Sequence, residues 1–333
     1  MVRFPAILFA TLNLVFLGFC YQLTSWQPSA DIDSKMNAVT LAMQAQTIIG
    51  PELIGEEYTP ITTTLGAKEA KNLSLHPDFA AVAVDMLQAA GVQAGDKVAV
   101  NMSSSFPALN IAVLSAVKSI DATPILISSV GASTWGANRP EFTWLDMESK
   151  LNEAGLWPWR SSAVGIGGGN DQGQGLTPEG LALIQAAIER SGVTPLGGGT
   201  LEEAVNQRVA LYKELNQGQL PKVLINVGGS HAFLGEQGHK MALRQGLTQG
   251  YHPYIADTGG LAAKFIMENR GVIHFININR LAAHYHIQAG KTGQSSVFYS
   301  LRVPSYLRAM IILWLAGGGL CLWYGKRQKW WKP

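Results

Sequence analysis

Three features of this 333-residue chain predict an α/β fold. Strand-like and helix-like stretches alternate through its middle; "KVAVNM", "FPALNIAVLSAVKSI" and "TPILISSVG" read in succession as a βαβ unit; and an apolar segment stands near each end. The expected architecture is a mostly parallel sheet of Rossmann-like βαβ units with flanking helices, plus one transmembrane helix at each end.

The first apolar run, Phe4 to Tyr21, is long enough to cross a hydrocarbon core of about 30 Å. Arg3 makes a weakly basic start, no small-x-small cleavage site follows closely, and Phe19 stands where a lipid-attachment cysteine wants a small residue. An uncleaved anchor is therefore expected. Residues 31–50 read as a short helix ending near "IIGPELIG". "GEEYTPITTTLGAKEAKNLSLHPDFA" is polar and threonine-rich, and reads as a loop with an extended segment rather than core. A helix begins at Pro77, with Phe79, Val82, Val84, Met86 and Leu87 apolar, and stops at Gly91.

The βαβ unit follows, then a strand and turn in "SAVGIGGG". Thr177 and Pro178 open a helix as N-cap and first-turn proline, running to about Arg190. Thr200 with Glu203 forms a capping box for a helix ending near Leu215. "KVLINVGGS" is a strand, "GLAAKFIMEN" a helix and "VIHFINI" another strand.

The second apolar segment, Tyr306 to Tyr324, is flanked by Trp323, Tyr324, Trp330 and Trp331, interleaved with Lys326, Arg327, Lys329 and Lys332. Aromatic residues settle at membrane interfaces and positive flanks stay cytoplasmic, which puts the C-terminus inside. The expected division is an anchor over 4–24, an extracytoplasmic α/β domain over 25–304, a second transmembrane helix over 305–325 and a basic cytoplasmic tail over 326–333. Every Asp and Glu lies between the two apolar segments, so the middle is acidic and the basic excess belongs to the ends. A nucleic-acid surface is not expected. Cys20 and Cys321 sit within the apolar segments, which leaves the middle with neither a disulfide nor a cysteine-based metal site.

Three turns follow predicted strands: Ser103-Ser104-Ser105, Gly167-Gly168-Gly169-Asn170-Asp171 and Gly228-Gly229-Ser230-His231. In open parallel sheets ligands bind beyond the carboxyl ends of the strands, and glycine backbone can approach an anion closely. Candidate ligand contacts are Ser103, Ser104, Ser105, Gly168, Gly169, Asn170, Gly228, Gly229 and Ser230. The glycines could equally serve only as tight turns. Ser103, Ser105 or Ser230 could instead be a nucleophile, with His231 as base and Asp171 or Asp257 as orienter, although no G-x-S-x-G elbow is present. Pro107 in the first helical turn makes Ser104 or Ser105 the expected N-cap, with an anion sharing that terminus.

His274, His284 and His286 show no H-x-x-x-H pattern, and His274 on an apolar strand reads as a hydrogen-bonded core histidine. No metal or cofactor is expected; "GIGGGND" is only loosely like a dinucleotide fingerprint, and no Walker A motif occurs. "GASTWGANRPEFTWLDME" could line a polymer groove, Arg139 meeting a carboxylate, or form a structured loop with Trp144 packed and Asp146 opening a helix.

"LIGEEYTPITTTLGAKEAK", "SSSFPALNIAVLSAVK", "GASTWGANRPEFTWLDME" and "GLTPEGLALIQAAIERSG" together resemble the bacterial poly-gamma-glutamate system protein family. The likeness covers most of the middle of the chain. It departs from the family pattern at the triplet, where Ser104 stands in place of an expected glycine. The resemblance implies an accessory protein of poly-γ-glutamate biosynthesis or export. Such a protein would sit in the bacterial cytoplasmic membrane with both termini inside, beside the synthase membrane subunits, guiding an anionic polymer. It supplies no catalytic residues. A serine-type hydrolase or transferase of γ-glutamyl chains, and a structural subunit of the synthase complex, are the rival expectations.

Overall fold

The computed structural model describes residues 4–197, 199–236, 244–302 and 305–327. Arg3 and the Lys329, Trp330, Trp331 and Lys332 of the expected interfacial tail lie outside them. Two units divide the chain: Met1–Ala30 with Tyr299–Pro333, and Asp31–Phe298.

In the first unit, a helix Phe4–Leu23 leads to a strand Ser25–Pro28, which pairs antiparallel with Tyr299–Arg302 ahead of a helix Ser305–Arg327. Within the second helix, Tyr306–Tyr324 is long and apolar enough to cross a membrane; in the first, the corresponding apolar stretch is the shorter Ala10–Cys20. Trp314 stacks on Phe16 with ring centroids 4.4 Å apart, and its indole N–H donates to Asn13 Oδ1 at 2.9 Å. Arg327 lies over the Trp323 ring, 4.3 Å from its centroid.

The second unit is built on a six-stranded sheet: β1 Lys97–Ser103, β2 Thr123–Ser129, β3 Ala163–Gly165, β4 Val223–Val227, β5 Gly246–Thr248 and β6 Gly271–Phe275. The order across it is β5-β6-β4-β1-β2-β3. All neighbours run parallel except β5, which caps β6 antiparallel. From β1 the chain winds outward through β2 to β3, then returns to lay β4 on the opposite side of β1. The order therefore reverses between β1 and β4, and at such a reversal the crossover helices leave a crevice at the carboxyl ends.

Parity along the strands distributes two cores. Val98, Val100 and Met102 of β1 face the helices Ile32–Ile49, Asp78–Ala89 and Pro107–Ser119. Ala99, with Leu224 and Val272 of its neighbours, faces Leu201–Glu214 and Leu261–Met267. A third cluster, including Val164, Leu145, Ile184 and Ile188, covers the β3 edge. Each of the Val, Leu, Ile and Met side chains among these, fully buried, contributes about 1.5–3 kcal/mol relative to exposure.

The expected helix signals operate. Thr177 Oγ1 accepts from Gly180 N at 3.2 Å, Thr200 and Glu203 form their capping box, and Gly192 ends the helix Pro178–Ser191 at φ 67°. Trp144 is buried and Asp146 closes a capping box with Thr143, so the loop reading of that stretch holds. The serine cap does not form. The N-cap of Pro107–Ser119 is Phe106, whose side chain has no oxygen to offer. The polar stretch before Pro77 carries the extended segment expected of it and, in addition, a helix. Thr62–Thr64 forms a strand that pairs parallel with Ala132–Ser133, and Lys68–Ser74 is a helix.

Candidate functional site

A cavity of about 300 Å³ opens at the carboxyl ends of the strands, on the β1/β4 crevice. Register explains why: Ser103 of β1 pairs with Ser129 of β2, which pairs with Gly165 of β3, so these strands end level. Ser103, Ser105 and Ser129 line one wall, Gly167, Gly168 and Asp171 a second, and Gly229, Ser230 and His231 a third. Thr63–Gly66, Lys71, Phe106, Gly131, Ser133 and Ile276 complete the lining.

Hydrogen bonds set the serine turn. Ser103 Oγ donates to Ser105 Oγ at 3.0 Å, and Ser105 Oγ also accepts from Ser133 N at 3.0 Å. Ser104 Oγ instead donates to the Ser129 carbonyl at 2.6 Å, away from the lining. A Cβ on Gly136 would sit 2.9 Å from Ser105 Cα, so the "WGAN" stretch can only pack on this turn as glycine.

The β4 turn is held from beneath. Asn101 Nδ2 donates to Asn226 Oδ1, and Asn226 Nδ2 to the Gly228 carbonyl, each at 2.6 Å; His274 Nε2–H donates to the same carbonyl at 3.1 Å. His274 is thus the hydrogen-bonded core histidine its strand position implies. Gly228 supports the site without lining it.

His231 Nδ1 accepts from Asn170 N at 3.1 Å, which in the neutral ring leaves the proton on Nε2. That tautomer donates and does not abstract. Asp171 is buried against Arg208 at 2.7 Å, so its charge is already matched. Asp257 lines a separate cavity with Glu202, Glu236 and Lys264. The Ser/His/Asp arrangement is therefore not assembled around His231. Arg139 also lies outside the lining: its Nε and Nη2 donate to Glu56 Oε1 at 3.0 and 2.7 Å. Gly169 and Asn170 stand beside the cavity and do not line it.

The site's cation is a residue the sequence reading did not single out. Lys71 is buried, and its Nζ reaches Ser133 Oγ at 2.7 Å, the Ser105 carbonyl, and the Phe106 ring at 3.6 Å from the centroid. None of these partners is a carboxylate. Burial pushes the Lys71 ammonium down to about 7. Thr134 fixes the Thr63–Gly66 rim above Ser133, accepting from Gly66 N at 2.7 Å and donating to its carbonyl at 2.8 Å.

No protein-family model matches this chain, and neither does any curated protein. Among solved structures it is similar to an aminotransferase from Mycobacterium tuberculosis, at 16% identity over 63% of this chain and 44% of that one, with a TM-score of 0.13. An archaeal alanine:glyoxylate aminotransferase is similar at 12% identity over 81% of this chain and 65% of that one, with a TM-score of 0.15. The chain spans less than two thirds of either relative, and likenesses this slight carry no argument about its fold or chemistry.

Proposed function

We propose that this protein is a membrane-anchored accessory factor of poly-γ-glutamate biosynthesis or export, and that its crevice holds carboxylate-bearing glutamyl units of the polymer. The observation that carries this reading is Lys71: a buried amine facing a polar cavity, with hydroxyl, carbonyl and aromatic partners and no carboxylate among the described residues. A carboxylate entering the cavity stabilises the ammonium, recovering the charge interaction that burial removes. Ser103, Ser105, Ser129 and Ser230 add hydroxyls around the same space. At about 300 Å³, the cavity takes a chain end or a short segment and not a coil.

The anchoring part of the reading rests on the apolar length of Tyr306–Tyr324 and on Arg327 beside Trp323 at its end. Both termini would be cytoplasmic, with the α/β unit outside and the synthase membrane subunits as partners.

Calorimetric titration of the full chain in detergent with γ-linked oligoglutamate tests the proposal. Saturable binding that weakens with salt and is lost in Lys71→Met is expected. Absence of binding, or binding undiminished in Lys71→Met, overturns it.

A further inference from the structure

The contact between Lys71 and Ser133 has the form of a base beside a nucleophile. We infer that Ser133 is a nucleophile and Lys71 its general base, making the crevice an acyl-transfer site for γ-glutamyl amides. The choice of substrate rests on the binding reading above; the nucleophile does not.

Three observations support the pair. First, Nζ and Oγ lie 2.7 Å apart, and Ser133 is both buried and part of the cavity lining. Second, Lys71 is oriented by a third group: one N–H donates to the Ser105 carbonyl, leaving the lone pair of the neutral amine for the Ser133 hydroxyl. Third, a proton donor stands beside the nucleophile. Ser105 Oγ accepts from both Ser103 Oγ and Ser133 N, so its own proton is free for an oxygen in the cavity, such as a developing oxyanion. Burial of Lys71 brings the amine of the free site to about 7, close to where a general base works best at neutral pH; a glutamyl carboxylate beside it raises that value, so turnover of the oligomer calls for a higher pH than labelling does.

The step balances without a further reagent. Ser133 Oγ bonds to the amide carbonyl carbon as its proton passes to Nζ, and the carbonyl electron pair moves onto oxygen. Collapse breaks the C–N bond, and the Lys71 ammonium returns the proton to the leaving amine. Water then cleaves the ester to a γ-carboxylate, or the amine of another chain forms a new amide; Lys71 takes up and returns one proton each time.

Two other titratable groups line the cavity, Asp171 paired with Arg208, and His231. On Lys71's own helix, Lys68 and Glu69 are exposed, Lys68 lying over the Trp135 ring.

The test labels the full chain in detergent with a fluorophosphonate, followed by intact mass and peptide mapping, while γ-linked oligoglutamate binding is measured on the same preparations. Stoichiometric labelling at Ser133 is expected, with a rate that rises through a midpoint near 7 and survives in His231→Gln. Ser133→Ala should abolish labelling. Lys71→Met should slow labelling by about 100-fold or more. Unlabelled wild-type protein, label on another serine, or a pH profile unchanged in Lys71→Met overturns the pair, whatever the oligomer does. Labelling at Ser133 in protein that ignores the oligomer upholds the pair and removes the glutamyl substrate.

Discussion

The Asp171 carboxylate lies 2.7 Å from the Arg208 guanidinium, with both side chains buried. Arg208 also donates to the Ala204 carbonyl of its own helix at 3.0 Å, so the pair ties the glycine-rich turn after β3 to the helix Leu201–Glu214. Removing one partner strands a charge away from water. Arg208→Met is expected to cost about 3–5 kcal/mol of stability. Denaturant titration checks this, and a loss under about 1 kcal/mol would mean that solvent reaches Asp171.

Gly165 makes room for the same pair. A Cβ there would lie 2.5 Å from Arg208 Nη2 and 2.8 Å from Asp171 Oδ2. Gly165→Ala should cost about 1–3 kcal/mol by displacing them. In an Arg208→Met background the penalty should shrink, because the two sites share one contact. Equal penalties in both backgrounds would show that the glycine serves something else.

Glu148 gives the α/β unit a pH dependence of its own. It is fully buried, accepts from Ser161 N at 2.7 Å and Ser161 Oγ at 2.9 Å, and desolvation raises its carboxyl from 4.5 to about 7. Between those values the native state binds the extra proton, so stability falls as pH rises from 4.5 to 7. The expected loss is on the order of 3 kcal/mol. Glu148→Gln should flatten this slope, since its amide can keep the Ser161 N–H bond while the Ser161 hydroxyl turns to Ser128 Oγ, 2.6 Å away. Stability curves at pH 4.5 and 7.5 check it; parallel slopes in the two proteins would rule out Glu148 as the source.

Gly136→Ala should act on the site more than on the fold. Its Cβ would meet Ser105 Cα at 2.9 Å and the Ser104 carbonyl at 3.0 Å, moving the serine turn. We expect oligoglutamate affinity to fall at least tenfold, equivalent to about 1.4 kcal/mol. Calorimetry on a variant with native circular dichroism checks it, and unchanged affinity would place the ligand away from Ser105.

The βαβ alternation was legible because each strand carries its own apolar run, and the helices Pro178–Ser191 and Leu201–Glu214 because each carries its own cap, at Thr177 and Thr200. The three strand-end turns were legible for the same local reason, and the sheet order gathers Ser103, Ser105, Gly168, Gly229 and Ser230 into one cavity. Lys71 and Ser133 were not. They meet through Thr62–Thr64 pairing with Ala132–Ser133, a parallel contact between short, distant segments with no periodicity to announce it. The serine cap failed because Ser105 Oγ is engaged by Ser133 N, a partner from another strand. Arg139 did meet a carboxylate, but one from the chain itself, Glu56. β5, three residues long, is too short to show alternation.

The proposed function turns on Lys71 as a buried amine that a carboxylate would stabilise. Heteronuclear NMR of the Lys71 side chain, titrated over pH with and without γ-linked oligoglutamate, tests it most directly. A midpoint near 7 in the free protein, well below the ordinary 10.5, and an upward move when the oligomer saturates the site are expected. A free-protein midpoint at the ordinary lysine value, or one the oligomer leaves unmoved, would contradict it.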